Sequence, residues 1–161
     1  MYSVTMQNQT IVGDATLVII HTDSTVGTGG SNILITRAWV GQVETETSQQ
    51  LGIILGQKAS AFGTYTSTTP VGHFIGGRAS GIVGGTTGAE GTAGTDASAE
   101  GAGTVTPIIY DGFNNLNGWL WVPTPEERII VPDDTAIILK LVGTPTTLTG
   151  WSAGISYTEI N

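Results

Sequence analysis

Thr135-Ala136-Ile137-Ile138-Leu139-Lys140-Leu141-Val142 decides the reading of this chain. Side chains two apart share one face of an extended strand. Ile137, Leu139 and Leu141 therefore stand on one face, and Ile138 and Lys140 on the other. Pro132-Asp133-Asp134 precedes the run and Gly143-Thr144-Pro145 follows it, both made of turn-forming residues. The unit is a strand between two turns.

The same unit recurs in both directions. Short β-branched or alternating runs bounded by Gly, Pro, Asn or Asp predict strands over 2–6 (an edge strand), 9–20 (broken at Gly13-Asp14), 32–43, 51–58, 71–75, 104–111, 119–122, 128–131, 135–142 and 148–160. Apolar residues at helical spacing are missing, and the best helical candidate is one polar turn over 44–50. About eight to ten strands suit an all-β, single-domain jelly-roll-like β-sandwich spanning 1–161. An immunoglobulin-like sandwich is the alternative. It usually needs fewer residues, and the chain has no cysteine for that fold's usual pair.

Residues 79–103 stand apart. They are almost wholly Gly, Ala, Thr and Ser, with Ile82 and Val83 as the only large apolar residues. Such a segment buries too little apolar surface to offset its ordering entropy. It is expected to be a long Gly/Ala-rich loop, flexible or ordered against a partner.

Composition excludes several functions. Charged residues make up 11% of the chain, against roughly 25% in ordinary soluble domains. The surface must then be largely neutral, which suits a protein packed against neighbours. The net charge is −8, and the five cations (Arg37, Lys58, Arg78, Arg128 and Lys140) are scattered singly. Binding to nucleic acid or to an anionic membrane needs clustered cations, so neither partner is expected. With no cysteine, thiolate metal sites and Cys nucleophiles are excluded. Residues 1–10 show neither a basic start nor an apolar run, so the expectation is a chain used in the cytoplasm or a mature form without its leader.

No catalytic constellation is legible, and no enzyme or cofactor is expected. Gly27-Thr28-Gly29-Gly30, Gly76-Gly77-Arg78 and Gly84-Gly85-Thr86 lack the helix a phosphate loop needs. His21 and His73 read as strand-end or surface residues, without metal-ligand spacing. Glu126-Glu127 and Asp133-Asp134 fall in Pro-flanked turns, where turn geometry alone explains them. A calcium site there is a minor alternative, since calcium takes loop oxygens. Trp119 and Trp121 share a strand face, opposite Leu120 and Val122, and the strand reads as covered on both sides. Trp119, Trp121 and Trp151 are the candidate interface residues, because Trp is enriched at interfaces.

The closing third, Glu127-Arg128-Ile129-Ile130-Val131-Pro132-Asp133-Asp134 running on through Leu141, and the ending Gly150-Trp151-Ser152-Ala153-Gly154-Ile155-Ser156-Tyr157-Thr158-Glu159-Ile160, resemble the last strands of small jelly-roll decoration (cement) proteins of tailed bacteriophages. Leu34-Ile35-Thr36-Arg37-Ala38-Trp39-Val40-Gly41-Gln42 with Ser48-Gln49-Gln50-Leu51 is similar to that group's core strand pair. The closing pattern is also loosely similar to trimeric tumour-necrosis-factor-like and complement-like jelly rolls. The resemblance implies a homotrimer on the outer capsid surface of a virion, made in the host cytoplasm and bound to the major capsid protein. It carries no catalytic residues. A carbohydrate- or receptor-binding module, using exposed aromatics such as Trp119, Tyr65 or Tyr110, is the alternative.

Overall fold

The structure, a computed structural model, describes residues 1–22, 32–43, 47–74, 76–77, 79–83 and 91–160. The described residues form twelve strands: β1 (Tyr2–Gln9), β2 (Thr16–Thr22), β3 (Asn32–Gln42), β4 (Gln50–Lys58), β5 (Thr64–Ser67), β6 (Val71–Gly72), β7 (Gly91–Ala99), β8 (Val105–Asn114), β9 (Trp119–Trp121), β10 (Ile130–Val131), β11 (Ala136–Val142) and β12 (Trp151–Ile160). A single 3-10 turn, Pro125–Glu127, lies between β9 and β10. Sheet A runs β10-β3-β12-β1-β6, with β9 also on β3, and sheet B runs β5-β7-β2-β11-β4-β8.

The pairing is nested. β1 pairs with β12, β2 with β11, β3 with β9 and β10, and β4 with β8, all antiparallel. Early strands meet late strands in mirror order, alternately in one sheet and the other, so the chain is a hairpin ribbon rolled into two Greek keys. That is a jelly roll. The stretch containing β5, β6 and β7 lies between β4 and β8 and widens both sheets on the side away from β8.

Alternation builds the core. Val4, Met6, Ile33, Ile35, Val40, Ala153, Ile155 and Tyr157 point inward from sheet A, and Val18, Ile20, Ile53, Leu55, Leu139 and Leu141 point inward from sheet B. The opposite faces of β2 and β11 are also apolar. Ile19, Ala136 and Ile138 form a second small cluster, covered by Phe62, Tyr65 and Val105. His21 lies on Phe62 at 4.2 Å between ring centroids. Two covered faces explain why the runs at 17–20 and 136–139 are apolar throughout rather than alternating.

The structure corrects two expectations. β1 is not an edge strand, because the two-residue β6 pairs with its outer side. Residues 79–103 are not one long loop. Gly91–Ala99 is an interior strand of sheet B between β2 and β5. Ahead of it, Ile82 and Val83 are buried, and the Glu159 carboxylate accepts hydrogen bonds from Ser80 Oγ and the backbone N–H groups of Gly81 and Ile82. Neighbouring strands supply the apolar contact that the segment itself lacks and so offset its ordering entropy. The one polar turn read at 44–50 falls partly outside the described residues; Gln50 opens β4.

Candidate assembly surface

A sandwich has four lateral edges, and three of them here are short: β5 has four residues, β6 two, and β9 and β10 three and two. The fourth is β8, ten residues long and, among the described residues, hydrogen-bonded on one side only, to β4. A long open edge is a template for pairing, which proteins usually blunt with Lys, Pro or a bulge. β8 has Pro107 and a bulge opposite Leu55 and Gly56, but its only charge is Asp111.

The edges of the two sheets meet on this side. The Trp119 indole N–H donates to Asp111 Oδ2 at 3.0 Å, tying β9 to β8. Trp119 and Trp121 pair with Val40 and Ala38, turn inward, and pack half-buried against the core with Ile109 and Ile129. They close the open flank of the sandwich. Their neighbours point outward: Ile108, Tyr110, Leu120, Val122 and Ile130 are all exposed. Between β8 and β10 lies an apolar cleft of about 110 Å³, lined by Ile108, Ile129, Ile130, Val131 and Pro132 among others. The expected cover over Leu120 and Val122 is therefore missing among the described residues. Five exposed large apolar side chains along one flank exceed the singly scattered kind that needs no explanation.

A second concavity, about 390 Å³, opens on the outer face of sheet A beside the β8–β9 turn. Val43, Leu116 and Leu120 line it and are exposed. Asn115 fixes its wall. Its side chain accepts from the Gln49 N–H at 2.8 Å and donates to Gln42 Oε1 at 2.9 Å and Thr47 O at 3.0 Å.

Of the three candidate interface tryptophans, Trp119 and Trp121 lie on this flank. Trp151 does not. It is completely buried, with its indole N–H donated to Thr147 O at 3.0 Å, and belongs to the core. Its position at the start of β12 puts it on the inward side, with Ala153 and Ile155. Of the aromatics considered for sugar stacking, Tyr65 lies over Gly94 and Trp119 is turned inward, while Tyr110 is exposed. Glu127 is used within its own turn, accepting from Thr124 N and Oγ1. The glycine runs at 27–30 and 84–86, and Arg78, lie outside the described residues.

Fold and flank together define an all-β jelly-roll protein with an apolar side left uncovered by the described residues. No protein-family model matches the chain, and no curated protein or solved structure matches it either.

Proposed function

We propose that the chain is a virion structural protein, a capsid decoration protein that forms a homotrimer and binds the outer surface of the shell built by the major capsid protein. The observation that carries this reading is the apolar β8–β10 flank, where Ile108, Tyr110 and Ile130 are exposed. Interface cores are depleted in Lys, Glu and Asp, and the strands of this flank carry a single charge, Asp111, which is bonded to Trp119. Its occupant is a second copy of the chain. The apolar flank of one copy, with Ile108, Tyr110 and Ile130, has a counterpart in the hollow lined by Val43, Leu116 and Leu120. Flank and hollow adjoin at Leu120 but present different residues, so the contact is head-to-tail, and such a contact makes a ring where its rotation closes. The number three and the capsid rest on the resemblance of the closing strands to decoration proteins.

The test has two parts. Light scattering at micromolar concentration is expected to give a three-chain mass, and a clean monomer would overturn the trimer. Peptide mass spectrometry on purified particles from the source is expected to find hundreds of copies. Absence from particles would overturn the virion role. A sugar-binding module is less well supported, because two of its three candidate aromatics are engaged with other parts of the fold.

A further inference from the structure

The outer face of sheet A carries a second feature, at the opposite end from the hollow beside Asn115. A trough of about 390 Å³ is lined by Thr36, Arg37, His73, Arg128, Ser156 and Thr158, with Val122 and Pro123 on one wall. Its chemistry departs from the rest of the surface. The chain carries 13 acidic and five basic residues. Lys58 and Lys140 are engaged with Glu100 on the other sheet. Arg37 and Arg128 both line this trough, together with an imidazole and hydroxyls.

Sequence irregularity puts Arg37 there. Strict alternation from the inward Ile35 would turn Arg37 inward and Ala38 outward. The register shifts instead: Tyr157 faces Ile35 and Ser156 faces Arg37, leaving Thr36 as the extra residue of a bulge. Ile35 and Ala38 are both fully buried, so Thr36 and Arg37 between them both face out. Bulges re-aim side chains in this way and concentrate near functional sites. Trp39 then holds one face of the guanidinium, whose carbon lies 4.9 Å from the ring centroid. Stacking leaves the in-plane N–H donors of an arginine available.

Neither guanidinium has a hydrogen-bond or ion-pair partner among the described residues. Two carboxylates close to the trough in the chain are committed elsewhere, Glu127 to Thr124 and Glu159 to residues 80–82. The hydroxyls are ordered. Ser156 is buried, and Ser3 Oγ lies 2.8 Å from Ser156 Oγ and 2.5 Å from His73 Nε2. No carboxylate bonds His73 among the described residues, so the Ser3–His73 contact lacks the third group that orients a catalytic base.

We infer that this trough binds an oxyanion group: inorganic phosphate or sulfate, or the carboxylate of an acidic sugar. Two arginine forks match such oxygens, and the hydroxyls complete their hydrogen bonds. The volume is that of a small-molecule site. The inference does not depend on the capsid reading.

Titration calorimetry and amide-shift mapping of the intact chain test it, with phosphate, sulfate and glucuronate as probes and chloride at equal ionic strength as the blank. Saturable binding of at least one probe is expected, with shifts at Arg37, His73 and Ser156. Arg37→Gln and Arg128→Gln, both at exposed positions, are each expected to weaken it about tenfold. Preference for phosphate or sulfate identifies the mineral or phosphoryl source, and preference for glucuronate the sugar acid. No saturable binding of any probe at tens of millimolar would overturn the inference. So would binding that survives both substitutions in chains whose thermal unfolding matches the wild type.

Discussion

Trp39 Cζ2 lies 2.1 Å from the point where a Cβ on Gly154 would stand. The two residues face each other across β3 and β12 on the outer side of sheet A. The indole lies on the strand in the space a side chain would take. Tyr65 does the same over Gly94 on sheet B, at 1.9 Å. A glycine inside a strand leaves the face unfilled and its own backbone loosely held, and a cross-strand aromatic remedies both. Gly154→Ala should displace the indole and cost about 1–3 kcal/mol. In a Trp39→Ala background the same change should cost much less, because the clash is gone. Urea unfolding of the four chains of this cycle measures the coupling. Equal costs in both backgrounds would mean that the indole adjusts freely.

Asp96 is the weak point of β7. It sits at a φ of 53° in the left-handed region, and its Oδ1 is buried without a hydrogen-bond partner among the described residues. Burial pushes its carboxyl above the ordinary 3.8. The folded chain therefore keeps the proton to higher pH than the unfolded chain, and stability falls as pH rises through that window. Asn tolerates the same backbone conformation and carries no charge. Asp96→Asn is expected to stabilise the protein by about 1 kcal/mol at pH 7, with the gain shrinking below pH 3.8. Denaturant midpoints at the two pH values decide it, and an equal effect at both would show that the charge is not responsible.

The strands that were legible in the sequence are those whose own side chains form the core. Ile137, Leu139 and Leu141 face inward and Ile138 and Lys140 outward, as alternation requires. β7 was not legible, because Gly91, Ala93 and Ala97 contribute little apolar area and their order comes from β2, β5 and the Tyr65 ring. Trp119 and Trp121 were readable as a same-face pair, but Trp151 was not separable from them by residue type; only its inward place on β12 shows it to be core. The trough was invisible for a different reason. Arg37, His73 and Arg128 are far apart in the chain, and the bulge at Thr36 that aims Arg37 leaves no mark in composition.

Lys58 gives a pH signature of the opposite sense. It is buried on sheet B, with its ammonium donating to Glu100 O. The Glu100 carboxylate in turn accepts from Thr16 Oγ1 at 2.8 Å and pairs with Lys140 at 3.3 Å. Burial lowers the Lys58 ammonium below the ordinary 10.5, outweighing the attraction of Glu100, and Lys140 lowers it further. Between that lowered value and 10.5 the unfolded chain binds more protons, so the contribution of Lys58 to stability grows as pH rises through this window. Lys58→Met should abolish this rise. The comparison is of slopes from pH 7 to about 9.5, below the ordinary tyrosine range. Tyr157, pushed up by burial, stays protonated in the fold there. Parallel slopes for the two chains would mean that the Lys58 ammonium is no harder to charge in the fold than in the unfolded chain.

The apolar flank yields the sharpest test of assembly, because it separates folding from association. Ile130 and Leu120 are exposed in the single chain and lie on short edge strands. Changing either to Ser removes no core contact, so unfolding of the monomer should move by no more than about 0.5 kcal/mol. In a ring, the same side chains become buried anchors, whose loss costs about 2 kcal/mol or more at each interface. Every interface of a ring carries the substitution, so the losses accumulate over the assembly. If the proposed trimer forms, Ile130→Ser and Leu120→Ser are expected to run at the single-chain mass by light scattering at concentrations where the wild type gives the three-chain mass. Their circular dichroism should be unchanged. Variants that stay trimeric would move the contact away from this flank, and variants that unfold would make Ile130 and Leu120 part of the monomer's own core.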